Sequence, residues 1–524
     1  MTAHGNTGIA LNEDSSNFFI ADAKPGTCRT ISEVENYMAN YTQGQVREIM
    51  LNPNSMRTSY RTTAPGWEAI WEGCEFAEDG RIFFLGKEQS SGVANWIRNA
   101  KKIADQNINP YQIWLSKIRK TGREGWISCR MNDIHEVYDP DSVLHSDFWR
   151  KNPQLRTIPG SASGFDYSHP EVRQRMLALI SEYCEIFDFD GLELDWLRHY
   201  HNFRPGFEAF HAEVLSEFIH SVKNILARMV SRVGHPVKLG ARIPSRPENA
   251  LSLGFDFFTW NEEKLVDMFV PMDVWPATDY RLPVGLWRKI LGDDVILAPG
   301  LELGARSAIS GGVGIGANPE IDRGFAAQFL REGADRIYLF NHMAGWTGYG
   351  ANQNEKMAEL LDSAGNSESA SAGSRRHIVT FANTSPYGLL PISNILPKTI
   401  APFDGKWSDY ISPDGGTPFL VNVGKASEQE AFVIIGFSVG DDRKAIRVFF
   451  NGVECEATSV PPAVMGTFAD PVAFNISAFF AWKVCPGLAH SGDNLVGIRN
   501  NGRTGITVKW LEIYFPGIRK QVGI

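Results

Sequence analysis

From Phe187 to His199 the chain reads FDFDGLELDWLRH, and acidic and apolar residues alternate within it. Leu192 and Leu194 fall on one face of a short strand, Glu193 and Asp195 on the other. Two carboxylates on one side, followed at once by Trp196, Arg198 and His199, are the groups that acid–base or nucleophilic chemistry on a polar substrate requires. A buried strand whose acids pair with Arg198 or another cation would read the same way. Left unneutralised inside a core, two carboxylates would be costly. The stretch therefore suits a strand that opens into a site at its C-terminal end, as in parallel barrels.

The elements that must position these groups are legible as alternating strand-like and helix-like runs up to about residue 345. Eight strands are expected: Asn17–Ala23, Arg47–Asn52, Gly125–Asn132, Phe189–Trp196, Val237–Ile243, Val266–Asp273, Val295–Glu302 and Arg336–His342. Helices are expected between them at Ser32–Tyr41, Gly92–Asp105, Tyr111–Lys120, Pro170–Ile186, Gly206–Val233 and Pro319–Glu332. This order predicts an α/β fold, a (β/α)8 TIM barrel over residues 1–362. A doubly wound open sheet is the alternative, but no glycine-rich phosphate loop follows the first strand. Residues 363–374 (SAGNSESASAGS within them) read as a flexible linker by composition. Beyond it, short apolar runs broken by Gly, Asn, Asp and Pro predict an all-β sandwich, jelly-roll-like, over 375–524. Alternation places Val448, Phe450, Val508 and Trp510 in its core.

Polar residues cap nearly every expected strand at one end. Asp22 stands at the first, Asn52 and Asn54 at the second with Arg57 just beyond, and Arg130, Asn132 and Asp133 at the third, followed by His135. Glu193 and Asp195 close the fourth, Arg242 the fifth, Asp273 and Trp275 the sixth. Glu302 ends the seventh, and Asn341, His342 and Trp346 the eighth. A pair of carboxylates across a cleft is the equipment of glycoside hydrolysis, one acting as acid toward the leaving oxygen, the other as nucleophile or base. Asp195 is the expected nucleophile, with Asp273 and Glu302 competing for the acid role and Glu193 one layer deeper. Asn52, Arg57, Arg130, Asn132, Arg198, His199, Arg242, Trp275 and His342 are expected to bind substrate. Trp149, Trp196, Trp275 and Trp346 are candidate sugar platforms.

Composition narrows the field. The 524 residues carry a formal charge of −9 with no basic run, which weighs against nucleic acid and anionic membranes as partners. Six cysteines are scattered without metal-type spacing, and Cys129 and Cys184 sit in apolar contexts. His199 and His201 flank Tyr200 outside any HExxH pattern, so neither a metal site nor a cofactor is expected. The N-terminus has no cationic start before an apolar run, which reads as cytoplasmic, although a removed leader would leave the same sequence. No apolar stretch is long enough to span a bilayer.

The stretches MLNPNSMRTSYRT, WISCRMNDIH and FDFDGLELDWLRH resemble the barrel of the bacterial "family 10-like" glycosyl hydrolases, which also carry a β-sandwich after the barrel. The resemblance spans most of residues 17–350 and implies glycosidase activity. The family 18 chitinases, with their DGxDxDxE strand, are a more distant comparison: DGLELDWL has Leu197 where the chitinase acid would stand. The α-galactosidase-like layout, with Asp at the ends of the fourth and sixth strands, matches Asp195 and Asp273. The cellulase-like layout, with Glu at the fourth and seventh, would favour Glu193 and Glu302. The expectation is a hydrolase of O-glycosidic bonds in an oligo- or polysaccharide. A carbohydrate-binding protein or a polysaccharide lyase on the same scaffold is the alternative.

Overall fold

The computed structural model describes residues 7–20, 30–198, 201–273, 277–307, 314–316, 318–342, 353–380, 410–426, 428, 430–437, 443–466, 476 and 478–517. The chain packs as two compact units. One is Ala10–Thr42 with Val46–Pro271; the other is Met1–Ile9, Gln43–Gln45 and Met272–Ile524.

Nine strands form the principal sheet: β1 Gly8–Glu13, β2 Val46–Leu51, β3 Glu124–Arg130, β4 Gly191–Asp195, β5 Lys238–Pro244, β6 Met268–Met272, β7 Ile296–Leu297, β8 Gly300–Leu301 and β9 Arg336–Phe340. Their order is β7-β6-β5-β4-β3-β2-β1-β9-β8, and the pairings β2/β3, β3/β4, β4/β5 and β8/β9 are parallel. Together with the antiparallel sheets described below, this makes a mixed α/β architecture. The two outermost strands, β7 and β8, are separated in the chain only by Ala298 and Pro299.

The first strand departs from expectation. It is Gly8–Glu13, whereas Ser16–Ile20 is a short helix and residues 21–23 lie outside the described residues. Asp14 Oδ1 accepts from the backbone N–H of Ser16 at 3.2 Å and from its hydroxyl at 2.7 Å, which turns the chain. Phe18 then packs edge-on against Trp114, ring centres 5.2 Å apart. Five apolar-rich residues read alike as strand or as one turn of buried helix.

In the first unit the helices follow their caps. Asn109 caps Pro110–Lys120, Pro170 opens Pro170–Ile186, and Gly234 at φ 78° ends Ala212–Val233. The last begins later than Gly206, because residues 209–211 form a 3-10 turn. Cys129 and Cys184 are buried thiols, as expected.

In the second unit, the stretch read as a linker is folded. Gln353–Ser363 is a helix, and Asn366 caps a second one, Ser367–Ala372, with Ala370 and Ser371 buried. Strand Arg375–Ile378 follows directly, antiparallel to Ile506–Phe515. It lies against helix Pro319–Arg331 at Gly324, where a Cβ would stand 2.0 Å from the Arg376 carbonyl oxygen. Arg376 and Glu512 form an ion pair at 2.7 Å with both side chains fully buried, and Trp510 Nε1 donates to the same carboxylate. These two strands belong to a six-stranded antiparallel sheet, a four-stranded antiparallel sheet accompanies it, and Val448, Phe450, Val508 and Trp510 are all buried within them.

Candidate active site

Alternation along β3, β4 and β5 stacks three rows of side chains. Register pairs Trp126 with Gly191, then Ser128 with Glu193 and Gly240, then Arg130 with Asp195 and Arg242. In the lowest row the Trp126 ring takes the room that glycine leaves: a Cβ at Gly191 would stand 2.3 Å from it. In the middle row the Ser128 hydroxyl donates to Glu193 Oε1 at 2.6 Å, and Asn12 of β1 donates to Ser128 Oγ at 3.5 Å. Asn52 donates to the Ser128 carbonyl at 2.7 Å. Glu193, one layer deeper as expected, meets Ser128, while Arg130 and Arg242 stand one row above it.

The upper row is an ion network. Arg242 Nε donates to Asp195 Oδ1 at 2.8 Å, Arg198 Nε to Oδ2 at 3.2 Å, and the Leu197 N–H to Oδ1 at 3.1 Å. Burial pushes the Asp195 carboxyl up, but Arg242, Arg198 and Arg130 together outweigh it and hold the group below the usual carboxylate range. Arg130 donates through Nη2 to Asp14 at 2.5 Å and through Nη1 to Asp133 at 3.1 Å. Burial opposes ionisation of Asp14 as well, and Arg130 and Arg198 reverse it, bringing its pKa down to about 2. Asp133 is likewise held low by His135 and Arg130 against its burial. His135 Nδ1 lies 2.7 Å from Asp133 Oδ1 and is half exposed, so the network reaches solvent there. Asn54 fixes the backbone beneath: its Nδ2 donates to the Arg130 carbonyl and its Oδ1 accepts from the Arg130 N–H.

Asp14 is the member that sequence reading missed. Its signal was the alternation Ala10, Asn12, Asp14 along GIALNED, masked by the stronger apolar run after it. The neighbouring Glu13 points the other way, accepts from the Tyr37 hydroxyl, and is pushed up to about 8 by burial.

Other expected site residues fall elsewhere. Arg57 donates to the carbonyls of His145 (3.0 Å) and Glu72 (2.8 Å), a staple between loops. Asn132 is 1 % exposed and joins Phe165 to Asn202, accepting from the Phe165 N–H at 2.8 Å. Trp149 and Trp196 are core residues rather than platforms: Arg156 covers one ring at 3.4 Å, and Tyr167 and Phe218 pack on the other. In the second unit, Asp273 is buried and its Oδ2 accepts from the Asp279 N–H at 2.7 Å. Glu302 is buried with its N–H bonded to Thr278, and His342 Nε2 lies 3.5 Å from Asp322 Oδ2. His199, Trp275, Trp346 and Asp22 lie outside the described residues. Among the described residues no helix is long and apolar enough to cross a membrane.

No family model matches the sequence, and none of the curated proteins matches it. Among solved structures, the chain is similar to a cycloisomaltooligosaccharide glucanotransferase from Paenibacillus sp. (11% identity, TM-score 0.32, covering 96% of this chain and 57% of that one). It is similar also to the PgaB glycoside hydrolase domain from Bordetella bronchiseptica (11%, TM-score 0.39, covering 68% and 99%). A third is the catalytic domain of GH30 xylanase C from Talaromyces cellulolyticus (9%, TM-score 0.34, covering 95% and 97%). The chain thus spans little more than half the length of the glucanotransferase. Similarities of this size carry no activity over to this chain.

Proposed function

We propose that the protein is a glycoside hydrolase acting on an oligo- or polysaccharide, with Asp195 as the carboxylate that faces the reacting carbon. The observation that supports this is the row Arg130–Asp195–Arg242 at the C-terminal ends of β3, β4 and β5, where three arginines hold the aspartate ionised. An ionised carboxylate is what a nucleophile or an oxocarbenium-stabilising group must be at working pH. The fold that goes with it is a (β/α)8 barrel, in which residues 296–301 count as one strand interrupted at Pro299.

The network supplies anions only, since Asp14, Asp133 and Asp195 are all held low. A glycosidase also needs a carboxyl that still carries its proton near neutrality. Asp273 and Glu302, both buried, are the carboxyls to test for that role. The arginines are engaged with aspartates, which supports a neutralising role over capture of an acidic sugar. Membership of the family 10-like group rests on the motif resemblance.

A panel of aryl glycosides and polysaccharides, assayed with the wild type and with Asp195→Asn, Asp273→Asn and Glu302→Gln, tests the reading. Release of reducing sugar without an unsaturated, ultraviolet-absorbing product is expected. An unsaturated product would make the protein a lyase, and binding without turnover would make it a carbohydrate-binding module.

A further inference from the structure

The loop after β3 carries two things. Asp133 and His135 belong to the ion network, and Glu136 to Ser142 form one wall of an open cavity of about 860 Å³. The other wall is Lys87 to Val93, which runs into the first turn of helix Ser91–Asp105. Cavities of about 300–1,000 Å³ are of the size that takes small organic ligands. Three residues of chain span at most about 11 Å, so Glu136 cannot be farther than that from Asp133.

Four features make this cavity a site rather than a crease. Tyr138, on its wall, is 58% exposed, a large ring presented to solvent where a loop could have buried it. Glu136 holds φ at 55°, a strained conformation for a residue with a Cβ, and its carboxylate is fixed by the Ser142 hydroxyl at 2.6 Å. Lys87 and Asp139 form an ion pair that ties the two walls together. Ser90, at the N-cap position of helix Ser91–Asp105, lines the cavity and makes no capping bond with its side chain.

We propose that this cavity is a glycan subsite, binding the sugar units of a neutral oligosaccharide beyond the one that reacts at Asp195. A ring to stack on, with hydroxyl, amide and carboxylate groups around it, matches the alternating apolar faces and hydroxyl edges of pyranose rings. Neutrality follows from the charges: Glu88, Glu136 and Asp139 stand on the walls against Lys87, with Arg81 3.5 Å from Glu88, which leaves one negative charge in excess to repel a uronic acid chain. The inference rests on the glycosidase reading and deepens it, naming the chain as neutral and the place where its further units bind.

Calorimetric titration of the full-length wild type and Tyr138→Ala with cello-, xylo-, manno- and malto-hexaose tests it, alongside hydrolysis of aryl monoglycosides. For the hexaose that binds, the affinity of Tyr138→Ala should fall about tenfold. Its kcat/KM on the aryl monoglycoside should stay at the wild-type value. Gln89→Ala, on the opposite wall, should lower hexaose affinity in the same direction. Equal hexaose affinity in wild type and Tyr138→Ala, or tighter binding of a hexauronate, overturns the subsite while leaving glycosidase activity standing. If the wild type neither binds any of these chains nor hydrolyses any glycoside, both the subsite and the glycosidase reading fall.

Discussion

Arg242 Nε lies 2.8 Å from Asp195 Oδ1, and neither side chain is more than 2 % exposed. A buried pair of this kind is held by mutual need: remove one charge and the other is stranded in a medium that solvates it poorly. Asp195→Asn should therefore do two separable things. Turnover should fall on the order of a thousandfold on any active substrate. The melting transition should also drop, by about 3 kcal/mol of stability. Far-UV circular dichroism and a thermal melt check the second independently of the first. A folded variant with wild-type turnover would remove Asp195 from the mechanism.

The pH dependence of stability has opposite signs at Asp14 and Glu13. Folding lowers the Asp14 pKa from 3.8 to about 2, so its contribution is present above 3.8 and lost as pH falls toward 2. Folding raises the Glu13 pKa from 4.5 to about 8, so its contribution is present below 4.5 and lost as pH rises toward 8. Glu13→Gln keeps an acceptor for the Tyr37 hydroxyl but cannot ionise. Its melting temperature should change less than that of the wild type between pH 5 and pH 8, as differential scanning calorimetry would measure.

Gly191→Ala should be destabilising although the residue is small and the strand is regular. The added methyl would stand 2.3 Å from the Trp126 ring, which also reaches Gly240, where a Cβ would stand 3.0 Å from it. A loss of about 1–3 kcal/mol in urea unfolding is expected. Trp126→Phe in the same chain should recover part of it.

Removal of residues 375–524 should give an insoluble or molten product. Strand Arg375–Ile378 packs on Gly324 of helix Pro319–Arg331, and the Thr380 hydroxyl donates to the Thr278 carbonyl at 2.6 Å. Soluble yield and the cooperativity of the melt are the measurements. A soluble, active fragment would mean that the C-terminal sheets are an appendage.

Much of this was legible in the residue order. Strands β2 to β6 and the row Arg130, Asp195, Arg242 follow from period-two alternation, because parity in a strand fixes which side chains share a face. What parity cannot say is how far a polar tip reaches or whether a ring ends up covered. Arg57 and Asn132 were placed at the correct strand ends, but their donors are taken by loop carbonyls and side chains that no local pattern announces. Trp196 follows Asp195 directly and is nevertheless enclosed by Tyr167 and Phe218, a tertiary outcome. The stretch at 363–374 misled for a different reason. Its Ser, Ala and Gly content suggests flexibility, while Asn366 supplies a cap and Ala370 a small buried face, enough for one short helix.

The upper row has a consequence for how such a protein can change. Asp14, Asp133 and Asp195 stand against Arg130, Arg198 and Arg242, three negative charges and three positive ones, each buried or nearly so. Any single replacement leaves a net charge in a place that cannot hydrate it, whereas a paired replacement, such as Asp195→Asn with Arg242→Gln, restores the balance. Descendants of this chain should then differ at these six positions two at a time or not at all, so that the cluster is inherited as one character.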